Sequence, residues 1–168
     1  MSRTLRSEIE NPWNESPPDA ITVIIDTRER DPYKFDSRLI KEVRLKLLAG
    51  DYTVAGMEDV IAIERKTRDD FVGTVMQEYD RFKRELERLQ KYVRASIVVE
   101  ANLSEIGNHD YYSTADPEAV IRRKAEIEVN FGVPVQFCSD RQHACRFVQN
   151  FLLCAAQKRE LWNPQSKP

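Results

Sequence analysis

The stretch Gly50-Asp51-Tyr52-Thr53-Val54-Ala55-Gly56-Met57-Glu58-Asp59-Val60-Ile61-Ala62-Ile63-Glu64-Arg65-Lys66-Thr67-Arg68-Asp69-Asp70 carries both the fold and the chemistry. Two runs rich in apolar and β-branched residues, 51–55 and 60–65, flank a turn-forming Gly56-Met57-Glu58-Asp59, which predicts a β-hairpin. A hairpin symmetric about Met57 and Glu58 sets Asp51 across from Glu64. Cross-strand partners have Cβ atoms about 4.5–5.5 Å apart. Two carboxylates that close repel each other unless a cation lies between them. A hard ion such as Mg²⁺ takes one or two carboxylates together with waters and a substrate phosphate. Strand alternation puts Lys66 on the face of Glu64 and Arg65 on the opposite face. Lys66 is then placed to steer an attacking water or to neutralise charge developing at a phosphate.

Working outward, Ile21 to Ile25 reads as a buried strand that ends at Asp26, a third candidate carboxylate for the same metal. Ser37 to Lys41 reads as a short helical turn and Val43 to Leu48 as a strand. From Arg68 to Arg94 the pattern turns helical, with Tyr79, Phe82, Leu86, Leu89 and Val93 forming one stripe. Asp70 opens that helix, either holding a second metal through water or capping the helix. A strand follows at 96–99. A helix starts at Asp116-Pro117-Glu118 and runs to about Asn130, ended by Gly132. A strand at 133–137 precedes a last helix over 140–157, with Ala144, Phe147, Val148, Phe151 and Leu152 on one face. This order predicts an α/β fold: a central mixed β-sheet with an antiparallel hairpin, flanked by helices. Residues 1–20, with Asn11-Pro12-Trp13-Asn14 and Pro17-Pro18, read as a flexible arm, 21–157 as the domain and 158–168 as a tail.

The chain has 168 residues, 41% hydrophobic and 32% charged, with a formal net charge of -2. That total argues against a simple DNA-coating protein, which is normally basic. The distribution is more informative. Between 21 and 70 there are eleven acidic and ten basic residues, whereas Arg81 to Arg94 holds six basic and two acidic. Arg81, Arg84, Arg88 and Lys91 fall on one helical face, either as phosphate contacts or as a solvated face paired with Glu85 and Glu87. Cys138, Cys145 and Cys154 suggest no disulfide framework, and Cys138, His143 and Cys145 lack the fourth ligand of a zinc site. His109 reads as a surface residue, and Tyr111 and Tyr112 as loop aromatics that either pack or stack on a base. No apolar run approaches the roughly 20 residues of a membrane span, and the N-terminus has no secretory pattern. A cytoplasmic setting is expected, without secretion or membrane insertion.

Gly50-Asp51 followed by Glu64-Arg65-Lys66-x-x-x-Asp70 resembles the signature of the XPF and MUS-type structure-selective endonuclease domain. Asp26-Thr27-Arg28-Glu29 resembles that family's first-strand Asp-x-Arg-Glu, and the likeness extends over about 21–150. The resemblance implies a restriction-endonuclease-like core and Mg²⁺-dependent cleavage of DNA, with Mn²⁺ as a substitute ion. It implies branched or single-strand/double-strand junction DNA as substrate, in repair, recombination or replication. It also implies pairing through this domain, as a homodimer or heterodimer. Within it Arg65 joins Asp26, Asp51, Glu64, Lys66 and Asp70 as a catalytic candidate, with Asp26, Asp51 and Glu64 as metal ligands. Arg28 joins the α-helical cations as a DNA contact. The five glycines, at 50, 56, 73, 107 and 132, form no tandem helix-hairpin-helix pair. Targeting is therefore expected from a separate DNA-binding partner or a second subunit. Two other readings stay open: a non-catalytic scaffold of the same fold, and a same-fold nuclease with a restriction, phage or RNA role.

Overall fold

Asp51 approaches Glu64 because of how a six-stranded sheet is ordered. The computed structural model describes residues 19–159. The arm expected at 1–20 and the tail at 158–168 lie almost wholly outside the described residues. The strands are β1 (Ile21–Asp26), β2 (Ile40–Leu45), β3 (Tyr52–Val54), β4 (Ile61–Thr67), β5 (Arg94–Glu100) and β6 (Val135–Phe137). The helices are α1 (Arg68–Met76), α2 (Tyr79–Leu89), α3 (Leu103–Gly107), α4 (Pro117–Phe131) and α5 (Arg141–Gln157). The sheet order is β2-β1-β3-β4-β5-β6. β3 is antiparallel to both β1 and β4, while β4, β5 and β6 run parallel. The expected mixed sheet, an antiparallel hairpin leading into a parallel half, is therefore present. Tyr52 pairs with Ile63, the register that a hairpin centred on Met57 and Glu58 requires.

The two faces of the sheet have separate cores. Val23, Ile25, Tyr52, Val54, Ile61, Ile63 and Val98 pack with Tyr33, Phe35 and the α5 residues Ala144, Val148 and Leu152. On the other face Ala62, Ile97, Val99 and Val135 pack under Phe71, Val72 and Val75 of α1 and Phe82, Leu86 and Leu89 of α2. The period of two then sorts the charged residues. Asp26, Asp51, Glu64 and Lys66 fall on the α2 face, and Arg65 falls on the α5 face.

Several elements differ from the sequence expectation. The helix expected over 68–94 is two helices, parted at Gln77 and Glu78, whose N–H groups both donate to the Gly73 carbonyl (2.8 and 3.2 Å). The apolar spacing runs unbroken across that corner, so periodicity alone cannot reveal it. α2 stops at Leu89, leaving Val93 45% exposed rather than on the buried stripe. β2 lies three residues earlier than the expected strand and begins where a helical turn was expected. It is an edge strand with only Ile40 buried, so it has no inward face to impose alternation. α3 was not anticipated; its signal is the capping box of Asn102 and Glu105. The Asp116 cap and Pro117 start of α4 and its end at Gly132 (left-handed, φ 64°) are as expected, whereas Asp140, expected as the first residue of the last helix, is the N-cap of α5.

Candidate active site

A cleft of about 400 Å³ opens on the α2 face of the sheet, lined by Asp26, Arg28, Gly50, Asp51, Glu64, Lys66, Phe82 and the charged face of α2. Gly50 makes the approach possible. It sits at φ +74°, and a Cβ there would lie 3.0 Å from the Ile63 carbonyl oxygen. A side chain at position 50 would therefore be strained in the backbone and crowded against β4. With Gly50 in place, the Asp51 N–H donates to Ile63 (2.7 Å), and the Arg65 N–H donates to Asp51 Oδ2 (2.7 Å). These two bonds extend the β3–β4 ladder by one register step and aim the Asp51 carboxylate along β4.

Burial, then the neighbouring Glu64, pushes the Asp51 carboxyl well above its usual range. Burial also raises Glu64, against the downward pull of Lys66. Lys66 Nζ donates to Glu64 Oε1 at 2.9 Å and lies 5.2 Å from the centre of the Phe82 ring. Burial works to lower the Lys66 pKa, but the attraction and hydrogen bond of Glu64, together with Asp51 and Asp70, outweigh it and the ammonium is held charged. Two half-buried carboxyl groups and one ammonium thus share the cleft floor.

Asp26 reaches the same cleft from β1 but is committed. Arg28 donates its N–H and Nε to Oδ1 (2.8 and 2.7 Å), and Arg28 Nη2 and the Leu47 N–H donate to Oδ2 (3.1 and 2.6 Å). Burial alone would raise Asp26, yet these bonds hold its carboxyl below the ordinary value. As a direct metal ligand it would have to give up one of these bonds; in this metal-free arrangement Asp26 anchors Arg28 and the loop at Leu47. Among the described residues no group of three His, Cys, Asp or Glu is arranged to hold an ion. The donor set that fits a hard divalent ion is the pair Asp51 and Glu64, whose mutual repulsion a cation would relieve; waters and a phosphate would complete such a shell.

Arg65, expected among the catalytic residues, lies behind the sheet and lines no part of the cleft. Its Nε donates to Glu100 (2.7 Å), its Nη1 faces Glu29 (3.4 Å) and its guanidinium covers the Tyr33 ring (5.5 Å). Arg65, Glu29 and Glu100 are each 8–9% exposed. Arg141, at the start of α5, covers the same ring (5.3 Å) and also reaches Glu100 (3.3 Å). The cause is strand alternation, and Arg65 meets the cleft through its backbone N–H, which donates to Asp51 Oδ2. Glu100 was not expected in any role. It ends β5 beside Thr67, a strand-end carboxylate like Asp26, and that is the signal that could have found it.

Asp70 also lies outside the cleft lining. Its N–H is capped by Thr67 Oγ1 at 3.2 Å, so Thr67, and not Asp70, is the N-cap of α1. Asp70 is exposed and close enough to favour the charged form of Lys66. On α2, Arg81, Arg84 and Arg88 line the cleft and Lys91 does not, because the helix has ended. Two of the three carry partners three residues back: Arg81 with Glu78 (3.0 Å) and Arg88 with Glu85 (2.6 Å). Arg88 thus has one of the acid partners expected for a solvated face, Glu85, while Arg81 pairs with Glu78 instead. Glu78 and Glu85 also line the cleft; Glu85 was expected only as a surface partner, and Glu78 was not anticipated. Tyr111 is buried and donates to the Ala115 carbonyl (2.7 Å), while Tyr112 is exposed. Cys138 and Cys145 pack at the edge of the α5 core.

The model of one protein family, the ERCC4 domain, matches residues 25–151. A putative ATP-dependent RNA helicase of Methanocaldococcus jannaschii is 25% identical over 146 residues, which are 86% of this chain and 16% of that protein. The chain thus spans about a sixth of that relative. Among solved structures, XPF from Aeropyrum pernix superposes with a TM-score of 0.63 at 20% identity, covering 80% of this chain and 61% of that one. XPF from the same organism in complex with DNA gives 0.62 at 22% identity, covering 86% and 69%. At these identities the likeness establishes the fold: the mixed sheet with its flanking helices is that of the XPF nuclease.

Proposed function

This chain belongs to the ERCC4 domain family, and on that premise we propose that it is a divalent-metal-dependent DNA endonuclease with Asp51, Glu64 and Lys66 at its centre. One observation carries the reading: two half-buried carboxyl groups with raised pKa values meet a charged lysine in a single cleft beside a basic helix. Strongly shifted carboxylates in a cleft are costly to keep and mark a candidate functional site. The likeness to an XPF solved with DNA supports DNA as the substrate class.

Asp51 and Glu64 would hold Mg²⁺ or Mn²⁺. Such an ion supplies Lewis-acid stabilisation of phosphate charge and makes water more acidic. The protein groups supply the rest. Lys66, pinned by Glu64 and Phe82, holds a positive charge where a phosphodiester would gain negative charge. Arg28, fixed by Asp26, and Arg84 of α2 offer donors to the non-bridging oxygens from two sides of the cleft. Water oxygen bonds to phosphorus as one bridging P–O bond breaks; the water gives up one proton to solvent and the departing oxygen takes one up from solvent. Arg65 holds Asp51 in place from behind and touches no reacting atom.

Branched or junction-containing DNA is the proposed preferred form, in repair, recombination or replication in the cytoplasm. Pairing with a second subunit, or recruitment by a separate DNA-binding partner, would supply the grip on duplex. The test is cleavage of flap, splayed-arm, nicked and plain duplex DNA, with a structured RNA alongside, in Mg²⁺. The unaltered chain should cut branched DNA, and D51A and K66A should not. Equal cleavage by those variants would overturn the assignment. Binding without cleavage by the unaltered chain would favour the scaffold reading instead.

A further inference from the structure

We propose that Glu85 is a positioning residue that latches α2 to the Gly50-Asp51 turn and, through Arg88, ties the basic row of that helix to the metal-binding carboxylate. The proposal rests on the endonuclease reading and goes beyond it, because Glu85 belongs to no part of the signature.

The Gly50-Asp51 turn is held by four hydrogen bonds. Three come from the sheet: Asp51 N–H to Ile63 (2.7 Å), Asp26 N–H to the Asp51 carbonyl (2.8 Å) and Arg65 N–H to Asp51 Oδ2 (2.7 Å). The fourth comes from a helix: the Gly50 N–H donates to Glu85 Oε1 (3.3 Å). Gly50 is buried, so its N–H needs an acceptor; leaving such a group unpaired is costly. The second oxygen of Glu85 accepts from Arg88 Nη2 at 2.6 Å. One carboxylate therefore bridges the backbone beside Asp51 and a cation that lines the cleft.

The consequence follows from what else α2 does. The same helix packs Phe82 over Lys66 and presents Arg81, Arg84 and Arg88 to the cleft. Sheet bonds alone fix Asp51 relative to Glu64. The Glu85 bond fixes Asp51 relative to the helix that carries the phosphate-facing cations. Removing it frees α2 and the turn to shift against each other, and small misplacements of reacting groups are expensive in rate.

The test compares the unaltered full chain with E85A and E85Q. Gln keeps a carbonyl acceptor for the Gly50 N–H, whereas Ala removes it. Amide exchange of Gly50, read by NMR on the metal-free protein, should speed up about tenfold or more in E85A and return toward normal in E85Q, the loss of one buried hydrogen bond. Cleavage of a flap substrate should show kcat reduced about tenfold in E85A with KM little changed, and E85Q should recover most of it. A Gly50 amide equally protected in E85A overturns the latch whatever the cleavage assay gives. Lost protection with unchanged kcat overturns its positioning role. Lost protection together with no cleavage by the unaltered chain overturns the endonuclease reading, and with it the catalytic consequence, while the latch itself stands.

Discussion

Arg65 faces two ways: its backbone N–H holds the Asp51 carboxylate at 2.7 Å on the cleft side of β4, and its guanidinium is buried against Glu100 at 2.7 Å on the other side. A residue in the middle of the signature thus serves the cleft through its main chain and the α5 face through its side chain. The alternation of a β-strand makes this arrangement unavoidable for the central member of Glu64-Arg65-Lys66. Glu29, Glu100, Tyr33 and Arg141 then form the socket for that side chain. The network links the loop after β1 to β4, β5 and α5 behind the carboxylates.

Replacing Arg65 by Ala should therefore act first on stability. It strands Glu29 and Glu100 as buried carboxylates, and breaking such a pair by removing one partner costs about 3–5 kcal/mol. Arg141 still reaches Glu100, which points to the lower end of that range. Lys at this position should rescue little, since an ammonium cannot form the fork that meets both carboxylates. Urea unfolding is the measurement. A midpoint for R65A close to that of the unaltered chain would show that the socket contributes nothing.

Asp51 predicts the opposite sign. Its pKa is raised by burial and by Glu64, so the folded chain keeps the proton to a higher pH than the unfolded chain does. Between the unfolded and folded values the folded state binds more protons, so stability falls as pH rises through that window. D51N removes that penalty. In the absence of metal, D51N should melt a few degrees above the unaltered chain at neutral pH, with the gap closing toward pH 4. Added Mg²⁺ should stabilise the unaltered chain and leave D51N nearly unmoved. Melting curves at several pH values, with and without Mg²⁺, decide it. Asp26 runs the other way: its lowered pKa contributes stability above the unfolded value that is lost as pH falls through the folded one.

Much of this was legible in the order of residues. The hairpin register follows from turn chemistry and the midpoint at Met57 and Glu58, and the split of Glu64 and Lys66 from Arg65 follows from a period of two. What stayed hidden has tertiary causes. Asp26 and Arg28 are visible together in Asp-x-Arg-Glu, but the Leu47 N–H that shares the Asp26 carboxylate comes from a distant loop and has no sequence signature. Gln77 and Glu78 break a helix without disturbing the apolar spacing from Val75 to Tyr79. Glu85 reads as an ordinary partner of Arg88, three residues on, because nothing local reveals that Gly50 sits against it. Fold and hairpin chemistry are encoded within short windows, whereas the second contacts of charged residues depend on how distant elements dock.

Gly50 should tolerate no side chain. G50A places a Cβ 3.0 Å from the Ile63 carbonyl in a left-handed backbone that costs an L-residue about 1–2 kcal/mol. The turn must move to relieve both, and Asp51 moves with it. The expected outcome is a loss of at least about 1 kcal/mol in urea unfolding together with a larger fractional loss of cleavage. G73A is the control, since a Cβ there meets nothing within 4 Å. Its helical position favours Ala over Gly by about 0.5–1 kcal/mol, so G73A should be neutral or stabilising.

The last prediction concerns the α2 row, where equal charges should not be worth equal affinity. Arg81 and Arg88 are already paired with Glu78 and Glu85 at 3.0 and 2.6 Å. A phosphate that recruits either one must displace a carboxylate, so the net gain is small. Arg84 lines the same cleft, on the helix face between them. R84A should weaken DNA binding more than R81A or R88A, and should lower the slope of log affinity against log salt by about one, the signature of one lost phosphate contact. E78Q should strengthen binding slightly by releasing Arg81. Anisotropy titrations of a labelled flap in Ca²⁺ between low and moderate salt distinguish these cases. Equal losses from R81A, R84A and R88A would mean that DNA displaces the acid partners at no cost, and that the pairs on α2 do not set the order.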